Sequence, residues 1–453
     1  MTIPLAGIER GILAACLVLA LLCERPALAQ TEPNPEPPPA DVAQPAEGAP
    51  AEAPEEGSEA AAPRVSESAA AEPPAQWEPA PAELPPAAPA ELEAPKASAE
   101  PTPKAQKTID FWSKVSLGTE WYLSAGFGEQ GGQSYSRTRI ERGYLTLKIK
   151  PVEWFQPRVT LDTHQDDSGD WKVRLKYMYA KFVVPVETAV VTDPNVEFGL
   201  VHGPWFDYEE HINHYRMQGT MLIERNGVLN SADVGITAAA LLGRKLPKDY
   251  QKSVSKEYPG EFGSVAFGVY DGGGYHAAEN NRNKVFESRI SVRPLGPYLP
   301  NLQLSYLAIY GKGNTPPQVC DAQGQNCVRG EPDWRLSAGM ASFEHPYFVA
   351  TAQVAKGRGN QAGSRVDGAG AALHFKGVSG FAEIKLPWIL SSVIGRYDRW
   401  EWNSVSTDRV IAGYAFHFLD DNTVLLDYDR EMPDASNTPD AWQTKVTVQV
   451  VVP

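Results

Sequence analysis

The chain has 453 residues and a formal charge of −15, room for two or three ordinary soluble domains. The acidity is concentrated: residues 1–107 hold 17 acids against 6 bases, and the remainder is close to balanced. No basic stripe of the kind that binds nucleic acid is present.

The first 29 residues read as a secretory signal. Arg10 gives a positive start, Ile12 to Leu22 an apolar core, and Ala27-Leu28-Ala29 a small-residue cleavage pattern. The apolar run is too short to span a bilayer. Leu13 to Cys16 resembles a lipoprotein box but sits too early in that run. Residues 30–107 are dominated by Ala, Pro and Glu. Proline recurs too often for helix and bulky apolar residues are too few for a core. The expectation is a disordered, partly polyproline-like periplasmic spacer, with contact to the cell wall as an alternative use.

From Thr108 the pattern changes to short alternating runs separated by Gly, Asn, Asp and Pro. Leu145, Leu147 and Ile149 interleave with Tyr144, Thr146, Lys148 and Lys150. Val173, Leu175, Tyr177 and Tyr179 alternate with Lys172, Arg174 and Lys176. Ile290 and Val292 alternate with Arg289, Ser291 and Arg293, and Ala382, Ile384 and Leu386 with Glu383 and Lys385. A strand sends these sets to opposite faces. Three features favour a membrane barrel over a soluble sandwich. The strands are long, roughly 9–12 residues. Aromatics including Trp112, Trp121, Tyr144, Trp154, Phe155, Tyr179, Phe182, Trp400 and Trp402 fall near strand ends, as interfacial girdles require. Short connections (Lys150 to Trp154, Leu419 to Asn422) alternate with long polar ones (Glu129 to Ser136, Gly311 to Glu331). The fold expected for residues 108–453 is therefore all-β, a transmembrane antiparallel barrel. The count is roughly 16 or 17 strands, the ambiguity lying between Arg365 and Trp402, and the even-number rule sets it at 16.

Cys320 and Cys327 are an even pair in an exported segment, with a polar, turn-prone stretch between them, and predict a disulfide-closed loop. The segment from Pro204 to Asn230 is unusually rich in aromatics and in both charges. Folded back into a lumen, its Trp205, Asp207, Tyr208, Glu209, Glu210, Arg216 and Arg225 would narrow the passage and set its selectivity. The alternative is an outside loop packed on its neighbours. The bases Lys148, Arg158, Lys172, Arg174, Lys176, Arg289, Arg293 and Arg396 fall on lumen faces and would favour anions, although Asp162, Glu287, Glu383 and Asp398 share those faces. His211 and His214 lack a third ligand, and neither H-E-x-x-H nor G-x-S-x-G occurs, so no metal, cofactor or enzyme chemistry is expected.

Gly199 to Trp205, Tyr215-Arg216-Met217, Gly227 to Asp233, Lys284 to Arg289, Gly395 to Arg399, Ala412 to Phe416 and Leu425 to Tyr428 resemble the phosphate-selective porin family of outer-membrane channels. The likeness extends over most of residues 110–452. It implies a trimeric outer-membrane porin of a Gram-negative bacterium, with a lumen-folded third outside loop, a basic pore, lipid around it and small hydrophilic or anionic solutes passing through. An envelope protein anchoring the membrane to the cell wall through residues 30–107 is the rival expectation. Two features depart from the family: the chain ends Val450-Val451-Val452-Pro453 without an aromatic, and the barrel's charge is near balance.

Overall fold

Alternation along the strands becomes a ladder that closes on itself. The computed structural model describes residues 111–452, apart from 166–168, 322–323, 325, 420 and 436–437. The expected signal segment and spacer lie outside the described residues. The strands are β1 (Val115–Gln130), β2 (Gln133–Ile149), β3 (Arg158–Gln165), β4 (Trp171–Val183), β5 (Val191–His202), β6 (Ala232–Leu242), β7 (Gly263–Tyr270), β8 (Val285–Val292), β9 (Leu302–Lys312), β10 (Gln318–Cys320), β11 (Cys327–Arg329), β12 (Asp333–His345), β13 (Phe348–Arg358), β14 (His374–Leu386), β15 (Ser391–Trp402), β16 (Val405–Leu419), β17 (Asn422–Pro433) and β18 (Ala441–Val452). β10 and β11 form a separate hairpin, and the other 16 strands make one closed antiparallel barrel in which β1 pairs with β18. Closure removes every unpaired edge, the condition for strands to cross hydrocarbon. The terminal Val450, Val451 and Val452 complete it by pairing with Trp121, Glu120 and Thr119.

The stretch from Arg365 to Trp402 holds two strands, β14 and β15, joined at Pro387–Ile389. The Cys320–Cys327 disulfide is formed and closes the β10–β11 hairpin. Both described termini lie at one end of the barrel, here the terminal end. The opposite, distal end carries the long segments 203–231, 271–284, 313–332 and 359–373.

Two expectations about connections change. Glu129 to Ser136 is a tight turn and not a long loop. Gly131 and Gly132 both take left-handed φ, +58° and +75°, so a two-residue hairpin is possible and the polar flanks keep pairing as strand. Conversely, residues 243–262 at the terminal end form a long connection with a short helix at Lys248–Ser253.

The outer surface is an apolar belt. Leu145, Met178, Phe198, Ile236, Val269, Ile290, Val354, Ile384 and Val393 are all exposed. On a closed barrel such a band meets lipid. Aromatic side chains mark its ends: Trp154 and Phe182 stack at the terminal end with ring centroids 6.4 Å apart, and Tyr298 and Trp388 are exposed in other connections of that same end. Tyr144, Tyr179 and Trp400, expected in the girdle, point inward instead, and Trp400 is buried against Phe375.

A bulge explains one of these reversals. Between β3 and β4 the register passes from Thr160↔Tyr177 to Leu161↔Leu175, leaving Lys176 unpaired. The extra residue flips the alternation. Lys176, Tyr177 and Tyr179 are buried inside, whereas Met178 faces out. The expected pairing of Tyr177 and Tyr179 with Val173 and Leu175 on one face is thereby overturned.

The interior is divided. Inward faces of β9 and β12–β17 carry Leu307, Ile309, Trp334, Leu336, Met340, Phe381, Ile394 and Leu425, part of one buried apolar cluster. The inward faces of β1–β5 are mostly polar and charged, with Tyr122, Tyr177, Tyr179 and Val201 buried among them. The simple inversion, grease outside and charge inside, therefore holds for the outer belt and for only one wall of the inside.

Candidate functional site

The segment 203–231 leaves β5 and enters the barrel. It is too short of helix-forming runs for regular structure, and forms only brief turns at Phe206–Glu210, Arg216–Gln218 and Leu222–Arg225. What holds it is the apolar wall. Trp205, Phe206, Tyr208, Ile212, Met217, Leu222, Ile223 and Val228 join the interior cluster. Hydrogen bonds fix the register of this docking. The Tyr208 hydroxyl meets Ser305 Oγ at 2.8 Å, and Tyr215 donates to Glu383 Oε1 at 2.7 Å. Arg225 donates to Asp398 Oδ2 at 3.2 Å, and Arg396 to the Thr220 carbonyl at 3.1 Å. Gln361 and Asn360, from the distal segment 359–373, bond to Val228, Asn230 and Gly227.

The residues expected in the constriction split into two groups. Trp205, Tyr208 and Glu209 are buried and anchor the loop. Trp205 Nε1 donates to Glu209 Oε2 at 2.7 Å. Asp207, Glu210 and the buried Arg216 form a second, charged group, while Arg225 faces the docking wall through Asp398. Asp207 accepts from Tyr258 and stands 3.8 Å from His202 Nε2. Its carboxyl lies below the ordinary range because His211, His202, Tyr258 and Arg158 together outweigh the large opposing effect of burial. Arg216 pairs with Glu210 and lies 3.4 Å from Glu224. Its Nε and Nη2 have no hydrogen-bond partner among the described residues.

Burial pushes the Glu209 carboxyl up to about 7, with Arg396 and the Trp205 indole acting in the opposite direction. A carboxyl raised in the folded state holds its proton there while the unfolded chain has lost it. Stability should therefore fall as pH rises from the ordinary value of about 4.3 through about 7, and level off above. Glu209→Gln is expected to flatten that slope and to stabilise the barrel at about pH 8 by up to roughly 3 kcal/mol, with little change near about pH 4. Thermal melts in detergent at both values decide it, and an unaltered slope in the variant rules Glu209 out.

The eight expected pore bases all face inward, but at different depths. Lys148 and Arg158 are direct cross-strand neighbours. Arg158 reaches His202 Nε2 at 3.2 Å, and Arg174 bonds to Asp162 at 2.8 Å and to the Tyr275 hydroxyl at 3.0 Å. Lys176 donates to the Tyr144 hydroxyl at 3.1 Å. Lys172 is exposed beside Trp171. Arg289, Arg293 and Arg396 are sealed by neighbouring segments, and Lys176 is buried nearly as deeply as Arg396. Arg289 lies under Pro204, Tyr208 and Tyr258. Arg293 is held by the carbonyls of Gly260, Tyr258 and Pro300, and Arg396 by Asp398 and Thr220. These three brace the loop and the terminal-end connection and have almost no surface of their own.

Sequence reading missed Arg142. The register shift opposite Tyr122 and Leu123 skips Glu141, so Glu141 and Arg142 both turn inward. Arg142 shares the Tyr144 hydroxyl with Lys176, at 3.4 Å. It also missed Tyr258, which comes from the terminal-end connection and meets the loop inside the barrel. Among the described residues no group of three His, Cys, Asp or Glu is arranged to hold a metal ion. Burial, with Lys385 nearby, lowers His214 to about 4.

No known family model matches the sequence, and no curated protein matches it. Solved structures do. A loop-L8 deletion mutant of OmpT, an outer membrane protein of Vibrio cholerae, is 10% identical over 75% of this chain and 99% of its own, with a TM-score of 0.47. Salmonella typhi OmpF in complex with daunomycin is 10% identical over 74% of this chain and 97% of its own, at 0.49. Pseudomonas aeruginosa OccK2 is 10% identical over 75% and 98%, at 0.40. At these values the likeness adds no weight, and the architecture rests on the chain's own strand pairing.

Proposed function

We propose that the chain is an outer-membrane channel for passive diffusion of small hydrophilic solutes, with a preference for anions such as phosphate. The barrel sits in the outer membrane of a Gram-negative cell, delivered by the signal segment 1–29, with residues 30–107 as a periplasmic spacer and the homotrimer as the working assembly. Solutes pass along the polar wall of β1–β5, opposite the docked loop. The observation that carries this reading is the convergence of Arg142 and Lys176 on one Tyr144 hydroxyl of the polar wall. Donors held in place where water is scarce lower the energy of an anion and raise that of a cation. Asp162, Glu210 and Glu224 temper the field without cancelling it, because four bases, Arg142, Arg174, Lys176 and Arg216, stand against these three carboxylates.

The test is the reversal potential of single channels in a salt gradient. The native channel is expected to favour anions. Arg174→Ala with Lys176→Ala should lower the anion-to-cation permeability ratio by about threefold, since pore charge sets selectivity. Absence of any conductance sinks the channel reading. An unchanged potential removes these bases from selectivity.

A further inference from the structure

The outside of the barrel is apolar through its middle and charged at its distal end, where one sector carries an excess of bases. On β9, β12, β13 and β14, the Lys, Arg, Asp and Glu residues with outward parity within about three positions of the strand ends are Lys312, Asp333, Arg335, Lys356, Arg358 and Lys376, with Tyr310 and His374 beside them. The pairing sets like charges face to face. Arg335 is directly opposite Arg358, and Lys356 is directly opposite Lys376. Like charges placed so are destabilising. One carboxylate serves three of these bases: Asp333 takes Lys312 at 2.5 Å, Arg358, and Arg335 at 3.7 Å. Lys376 finds Glu401 at 3.0 Å, and no carboxylate pairs with Lys356 among the described residues. The sector thus carries five bases against Asp333 and Glu401. Tyr310 lies beneath the Arg335 guanidinium at 4.7 Å, and Val354 and Val378, each two residues below a lysine, are lipid-facing.

We propose that this sector binds the phosphate groups of an outer-leaflet glycolipid, a lipid A-type molecule whose acyl chains lie on the apolar belt below. The inference rests on the outer-membrane reading above, in which the distal end, opposite both described termini, is the outer-leaflet end. Two features select this occupant. Cations paired face to face need an anion that bridges them, and a phosphate accepts forked bonds from arginine. The apolar surface begins immediately beneath the bases, so the ligand must join an anionic head to hydrocarbon. A free anion satisfies only the first requirement.

The experiment uses the full mature protein, purified in detergent and stripped of lipid, titrated with lipid A and with the same lipid after phosphatase treatment. Binding is read by native mass spectrometry. Native protein should retain lipid A and bind the dephosphorylated form at least about tenfold more weakly. Lys356→Gln with Lys376→Gln, and separately Arg335→Gln with Arg358→Gln, should each lose about tenfold in lipid A binding. Gel mobility before and after heating checks that each variant is folded. Equal binding of the two lipids, equal binding of phosphatidylglycerol, or folded variants that bind as the native protein does, each overturns the proposal. Conductance is recorded on the same variants. It should be unchanged, so loss of lipid binding is separated from failure of the channel reading.

Discussion

Trp205→Ala should raise single-channel conductance and leave the barrel folded. The indole is 0% exposed and sits where segment 203–231 first meets the apolar wall. Truncating a buried tryptophan costs roughly 3–5 kcal/mol. Here that cost falls on the docking of one loop and not on the strand ladder, whose backbone bonds do not involve it. The substitution also removes the indole N–H from Glu209, whose carboxylate would then be buried with one donor fewer. Both effects favour release of the loop from the wall. Protease cleavage within 203–231 should appear at concentrations that leave the native protein intact, while heat-modified gel mobility persists. If the loop is released, as cleavage shows, and conductance does not change, the loop is not the constriction.

The strands were legible because a lipid-facing surface tolerates no departures from alternation. Leu145, Ile290 and Ile384 each lie on the face expected. Failures occur where the period itself breaks. The bulge at Lys176 and the skipped Glu141 each insert one residue, and no propensity marks either. The inward apolar wall escaped notice for a related reason. Ile394 and Trp400 on β15 alternate with Gly395, Tyr397 and Arg399, so neither face of that strand is cleanly apolar. Arg399 faces outward at the distal end, where a charge reaches the lipid headgroups or water. The inward loop was legible through its aromatic density, since Trp205, Tyr208 and Tyr215 need a surface to pack on. Depth was not. Alternation tells which way Arg289 and Arg396 point, but not that a loop from elsewhere in the chain covers them.

Arg289 carries the second large effect, because it joins two connections that enter the barrel from opposite ends. Its guanidinium is 1% exposed. It donates to the Pro204 carbonyl at 2.8 Å, to Ser264 Oγ at 2.9 Å and to Ser291 Oγ at 2.7 Å. One side lies over the Tyr208 ring of the distal loop, 4.2 Å from its centroid. The Tyr258 ring of the terminal-end connection lies 4.9 Å from the same carbon. Arg289→Met keeps the volume but strips every donor, leaving a carbonyl and two hydroxyls unmatched. Hydrogen bonds to a charged group are worth roughly 1.5–3 kcal/mol each, and the shared burial makes them non-additive. A total loss of about 4 kcal/mol is expected. Arg289→Lys should recover less than half of it, because an ammonium cannot reproduce the planar fork or stack between two rings. Melting curves rank the three proteins. The diagnostic measurement is cleavage within 243–262, which should increase in Arg289→Met together with cleavage within 203–231. If only one segment is released, the guanidinium supports that segment alone, and the two connections are held independently.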